Sequence, residues 1–285
     1  MQTETNIKIH ATLTPRFLRR SRVLPLLGGI LGLCGCGLLA GGDLPGGRDD
    51  DDDDDRPRAC ATGPQTVPLK EAKLIIEHNA TDNDTGFQAF VDADGWEKLE
   101  IIGPKGLVAE FTGRDAVGEL GMTELFFESH EPENAKMPIA ELLAKMPAGD
   151  YAFRGTASKL GGQSGVMLGK ALLTHTIPAG VKLTEPAEGA TVPLADLKMR
   201  WEGSGKALDG SDIKLISYQL IVEKAEEPHV NMIGKRGLSM YLPASVTEMT
   251  VSAAVLEPGT AYKWEVLAIE ESGNQTLTEG TFKTQ

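Results

Sequence analysis

Apolar and polar residues alternate with a period of two along most of the chain, and that period marks half-buried β-strands. It is clearest from Ala261 to Glu270, where Tyr262, Trp264, Val266 and Ala268 share one face and Lys263 and Glu265 the other. From Leu215 to Glu223 the same period puts Ile216, Tyr218, Leu220 and Val222 together. Further strands are predicted over Ala72 to His78, Phe87 to Val91, Trp96 to Ile102, Leu107 to Phe111, Glu124 to Phe127, Tyr151 to Arg154 and Val166 to Thr176. Asp94-Gly95 and Pro104-Lys105-Gly106 read as the turns of hairpins. One helix interrupts the strands. From Pro138 to Met146, Ile139, Leu142, Leu143 and Met146 recur at helical spacing, with proline at the start and Pro147 as a stop.

The first residues carry a different pattern. Residues 16 to 22 read RFLRRSR, and 23 to 40, VLPLLGGILGLCGCGLLA, carry no charge. A basic segment followed by an apolar one is the build of a secretory signal. Pro25 and several glycines weaken it as a permanent membrane helix, so cleavage is expected. Leu33-Cys34-Gly35-Cys36 resembles the lipobox of bacterial lipoproteins, with Cys36 in the place of the lipidated cysteine. That resemblance implies removal of residues 1–35, export, and attachment to the cell envelope by lipid. Gly37 stands where some such lipoproteins carry an aspartate that retains them at the inner membrane, so an outer membrane or surface location is implied. Residues 36–66 follow with Gly, Pro and an unbroken Asp run from 49 to 55, which self-repels and reads as a disordered acidic tether.

The remaining chain suits two small domains, at 67–178 and 180–285. The fold expected is all-β: two tandem β-sandwich domains, the first with one short helix. In the second, TEMTVSAAVLEPGTAYKWEVLAIEESGN resembles the E strand, E–F corner and F strand of fibronectin type III domains, with Trp201 of LKMRWEG and Tyr218 of YQLIVE placed like the B and C strands. The resemblance covers 180–285. It implies structural roles for Trp201, Tyr218, Leu256, Pro258, Tyr262 and Trp264, with Tyr262 as the tyrosine corner whose hydroxyl bonds backbone just upstream. The family's Arg-Gly-Asp adhesive tripeptide is absent, since Leu238 follows Arg236-Gly237. IEHNATDNDTGFQAFVDADGW and GMTELFFESHEP resemble a module of bacterial secreted proteins that precedes such a domain, with no activity implied.

Composition narrows function. A formal charge of −13 among 285 residues argues against nucleic-acid partners, which need clustered Lys and Arg. Three cysteines at 34, 36 and 60 cannot frame disulfides, and five scattered histidines give no zinc signature. Asp82, Asp84, Asp92 and Asp94 are weak candidates for calcium, if a hairpin brings the two Asp-x-Asp pairs together; turn-shaping is the simpler reading. Glu124, Glu128, Glu131 and Glu133 around His130 resemble an acid/base group in sequence only, and read as a solvated loop. His78 and His175 read as packed or interfacial. Gly161 to Gly165 lacks the G-x-S-x-G pattern, and Gly169-Lys170 lacks that of a phosphate-binding loop. The expectation is a non-enzymatic, lipid-anchored envelope protein that binds or scaffolds an unknown protein or polysaccharide, without cofactor. The alternative is a calcium-dependent carbohydrate-binding or accessory module of a secreted hydrolase system.

Overall fold

The computed structural model describes residues 65–285 apart from 159, 161–164 and 204. The export segment, Cys36, the acidic run and most of the 161–165 loop lie outside the described residues. The first lobe runs β1 (Thr66–Pro68), β2 (Glu71–Asn79), β3 (Asp84–Gly103), β4 (Gly106–Thr112), α1 (Asp115–Leu120), β5 (Met122–Glu128), α2 (Ile139–Lys145), β6 (Gly149–Ala157) and β7 (Val166–Leu173). The second runs β8 (Lys182–Glu185), β9 (Ala190–Val192), β10 (Leu197–Glu202), β11 (Leu215–Lys224), β12 (Gly237–Pro243), β13 (Glu248–Val251), β14 (Ala261–Glu270) and β15 (Gln275–Thr284). The protein is all-β in architecture, two tandem sandwiches each with its own apolar core.

One expected turn is no turn. Asp94-Gly95 lies inside β3, whose 20 residues unite two of the predicted strands. Gly95 has φ 131°, a conformation open to a residue without Cβ, and the register shifts between Asp92 and Trp96. This is a bulge, which bends a strand without ending it. Before it β3 pairs with β2 and β5; after it, with β6 and β4. One strand therefore serves two layers and carries Val91, Trp96, Leu99 and Ile101, all at most 1 % exposed, into the core. A second correction concerns helices, for the lobe has two. α1 went unpredicted because it is only six residues long, has no side-chain cap, and leaves Val117 and Leu120 exposed; it has no apolar stripe to read.

In the second lobe β8, β10 and β13 form one sheet, facing a layer of β15, β14, β11 and β12. That is the strand arrangement of a fibronectin type III sandwich. Trp201 meets Tyr218 edge to face at 5.6 Å, and Tyr262 stacks on Phe282 at 5.3 Å. The Tyr262 hydroxyl accepts a 2.8 Å bond from the Glu257 N–H, closing the corner five residues upstream. Ile216 departs from the predicted face: the register shifts between Leu215 and Ser217, which turns Ile216 outward while Tyr218, Leu220 and Val222 stay buried.

The lobes share a sheet. β15 pairs in parallel with β2, matching Gln275 to Glu77 and Leu277 to Asn79, so both join one twelve-stranded sheet. Asn274 fixes this seam. Buried to 1 % exposure, its Oδ1 accepts from the Ile76 N–H at 2.8 Å, and its Nδ2 donates to Thr174 O at 3.2 Å, Thr174 Oγ1 at 2.9 Å and Thr176 O at 2.8 Å. The strand predicted to reach Thr176 stops at Leu173, and the carbonyls beyond it turn to Asn274. Asn274→Ala strands one buried donor and two carbonyls, each costing about 1–3 kcal/mol when unpaired. A loss of about 2–4 kcal/mol in urea unfolding is expected, with faster amide exchange at Ile76.

Candidate functional site

The face of the shared sheet turned away from both cores is continuous from lobe to lobe. Glu128 on β5 pairs with Gln88 on β3, and Gln88 with Ile75 on β2; two residues along that face, Glu77 pairs with Gln275 on β15, followed by Ile269 on β14 and Ser217 on β11. The sheet coils as twisted sheets do, and part of this face closes into a trough of about 300 Å³. Glu77, Asn79, Asp82, Asp84, Phe126, Glu128 and Glu131 line it from the first lobe, opposite Ile221, Glu223, Lys235, Lys263, Glu265 and Leu277 of the second.

Local bonds aim the carboxylates. Gln275 Nε2 donates to Glu77 Oε2 and, at 3.2 Å, to Gln88 Oε1; Gln88 Nε2 in turn donates to Glu128 Oε1 at 2.8 Å. Ser129 holds the end of β5, its N–H bonding Phe87 O at 2.8 Å and its hydroxyl accepting from Phe87 N–H at 2.9 Å. Gly86 leaves room for Glu131, since a Cβ there would come within 2.6 Å of Glu131 Cγ. Oxygens of Glu77, Glu128 and Glu131 thereby lie within 4.8 Å of one another. Three converging carboxylates are suited to hard cations or to basic groups, and repel anions.

Burial and charge shift titration here. Burial, then Asp82 and Glu77, push the Asp84 carboxyl up. Burial likewise raises Glu265 against the pull of Lys263. The Lys263 ammonium, which burial alone would lower, is held above the ordinary lysine value by Glu265 at 3.1 Å and by Glu279. Lys235 pairs with Glu223 at 3.4 Å. The second lobe's bases Lys235 and Lys263 are thus engaged by its own acids, and the first lobe lines the trough with Glu77, Asp82, Asp84, Glu128 and Glu131.

The residues singled out from sequence scatter. Asp84 and Asp92 are eight positions apart on one strand, about 27 Å at 3.4 Å per residue, so the hairpin does not gather the Asp pairs. Asp82 shapes a turn: Asn79 Oδ1 accepts from the N–H groups of Thr81 and Asp82 at 2.9 and 3.0 Å, and Asn79 Nδ2 donates to Asp82 Oδ2 at 3.0 Å. Asp94 pairs with Lys70, and Asp92 sits opposite Glu71 and Glu124. Glu124 and Glu128 share a face of β5 about 13 Å apart, Glu133 pairs with Lys136 at 2.7 Å, and His130 is exposed. His175 Nε2 bonds Met146 O at 2.9 Å. Gly169 and Lys170 are inside β7. Glu77 was overlooked, because its partners are 51 and 54 positions away and no local spacing announces them.

No known family profile matches the chain, and no curated protein matches it. Among solved structures, a two-domain fibronectin type III segment of chicken tenascin is similar over 76 % of this chain and 99 % of that one, at 12 % identity and TM-score 0.27. Trypsin-activated alpha-2-macroglobulin from Escherichia coli is similar over 77 % of this chain and 16 % of that one, at 13 % identity and TM-score 0.27. A tetra-tandem repeat in the extending region of a large adhesion protein is similar over 75 % and 50 %, at 11 % identity and TM-score 0.26. With TM-scores this low, strand order and register, and not these likenesses, define the fold.

His78 gives the molecule a pH dependence. It is 5 % exposed, its Nδ1 lies 2.9 Å from Asp84 O and 3.0 Å from Thr85 Oγ1, and burial holds its pKa below the ordinary value despite the backbone bond. The folded state therefore favours neutral imidazole. Its stabilisation is whole above the unfolded-state pKa of about 6.5 and is lost as pH falls below it toward the folded value. Urea midpoints from pH 8 to pH 5 should fall more steeply for the wild type than for His78→Gln.

Proposed function

We propose that this chain is a non-enzymatic binding or scaffolding protein of the cell envelope, exported by its basic-apolar N-terminus, anchored by lipid at Cys36 and held off the membrane by its acidic tether. The partner class is a protein or polysaccharide, and the placement is the outer membrane or cell surface. The observation that carries the reading is the Asn274 seam, which makes one stiff body of two sandwiches and suits presentation of a surface. The candidate acids and histidines also serve turns, ion pairs and loop ties: Asp82, Asp94, Glu133 and His175 each hold a structural partner. Palmitate labelling with membrane fractionation tests the anchor. Cys36→Ala should lose the label and leave the membrane fraction, whereas Cys34→Ala keeps both; a labelled, membrane-bound Cys36→Ala overturns it.

A second reading, a calcium-dependent carbohydrate-binding or accessory module, is favoured by the convergence of Glu77, Glu128 and Glu131 within 4.8 Å, not by the Asp pairs. Melting in calcium and in chelator separates the two, because a ligand that binds only the folded state raises its stability by mass action. Under the first reading calcium leaves Tm unchanged. A calcium-dependent rise that Glu128→Gln abolishes establishes the second.

A further inference from the structure

β12 ends the twelve-stranded sheet, with β11 on one side and, among the described residues, no strand on the other. Lys224 N–H donates to Arg236 O at 3.0 Å, and the Ser217 hydroxyl donates to Leu242 O at 2.9 Å. In an antiparallel ladder the inward groups alternate. Residues 236, 238, 240 and 242 therefore bond β11, and the N–H and C=O groups of Gly237, Ser239 and Tyr241 point off the edge. Such edges are ordinarily guarded by charge. Among the described residues every other edge strand longer than three residues has one: Glu110 on β4, Glu124 and Glu128 on β5, Lys182 and Glu185 on β8, Glu248 on β13. β12, GLSMYLP, has none, and Tyr241 is 67 % exposed.

We propose that this edge joins a second copy of the chain, antiparallel, about a twofold axis at Ser239. The strand is self-complementary about that point. Gly237 then faces Tyr241 of the second copy, Ser239 faces Ser239, and Tyr241 faces Gly237, so all three outward residues exchange both backbone bonds and no proline is among them. Moving the axis to Tyr241 would bring Pro243, which has no N–H, into the ladder; moving it to Gly237 would run the pairing into the loop before β12. Tyr241 lies over a residue without a side chain, a favourable cross-strand match. On the other face Leu238 meets Met240.

Five residues of ladder bury less than the roughly 1,200 Å² of a stable interface. Val230 and Ile233, 92 % and 89 % exposed in the turns just before β12, offer further apolar area beside this edge. Association in the range of about 10–100 μM is expected. It does not depend on the lipid anchor, although tethering on a membrane would raise the effective concentration.

Sedimentation equilibrium of the full chain, in detergent matched to the solvent density, tests this. The protein mass should rise with concentration from 30.4 kDa toward twice that value. Tyr241→Pro removes an outward donor and leaves the β11 ladder intact; Ser239→Asp keeps an acceptor for Gln219 Nε2, now 2.9 Å from Ser239 Oγ, and sets two like charges across the axis. Both variants should need at least tenfold higher concentration to associate. A wild type monomeric up to about 1 mM, or a dimer unchanged in Ser239→Asp, overturns the proposal. Should Tyr241→Pro melt early, Ser239→Asp alone decides.

Discussion

A buried amide with four polar partners governs how this molecule is put together. Asn274 sits at the turn into β15, and its side chain reaches both the edge of β2 and the carbonyls leaving β7. The amide itself and the Ile76 N–H are buried and the threonine partners half-buried, so any arrangement that lost the contact would leave several polar groups unpaired, at a cost above the net worth of one bond. Beside it, Thr276 Oγ1 donates to Pro178 O at 2.5 Å, Ala80 N–H to Leu277 O at 2.8 Å, and Glu279 N–H to Thr81 Oγ1 at 2.9 Å. The parallel pairing of β2 and β15 follows, since these bonds fix strand height as well as neighbourhood.

The trough is a consequence of that pairing. Each lobe buries one face of its strands in its own core, and joining the lobes edge to edge sets the opposite faces side by side. Glu77 would be an ordinary outward glutamate on an isolated sandwich; beside Gln275 it is 5 % exposed and near two other carboxylates. Burial raises Asp84 and Glu265 for the same reason, as the charged forms lose hydration. The two walls differ in composition: the second lobe contributes Lys235 and Lys263 beside its acids, and the first contributes Glu77, Asp82, Asp84, Glu128 and Glu131.

Much of the fold was legible because burial is two-sided and periodic. Tyr262, Trp264, Val266 and Ala268 announced β14, and Ile139, Leu142 and Leu143 announced α2, since each element must hide one stripe. Departures occurred where geometry replaced periodicity. Asp94-Gly95 has the composition of a hairpin turn, yet the glycine here serves a bulge, and only the pairing of β5 and β6 on either side distinguishes the two. Ile216 keeps its place in the alternation but loses its face to a register shift. α1 carried no apolar stripe to find. The site was less legible still: Asp82 and Asp84 stood out by spacing, while Glu77 acquires significance only through Gln275, 198 positions away.

By itself, the sequence determined the strand-rich architecture, the aromatic core of the second sandwich and the corner closed by Tyr262, all of which depend on residues near one another or on a repeating face. Tertiary structure alone decided that the lobes share a sheet, that carboxylates from β2 and the β5 loop meet in a trough, and that β12 ends that sheet among the described residues. These depend on which strand ends lie side by side, and the groups that decide it, such as the Asn274 amide and the backbone of residues 174 to 176, look in sequence like any other turn residues. A hydrogen bond spanning 198 residues has no period and no spacing; it exists only once both partners have been brought out of water together.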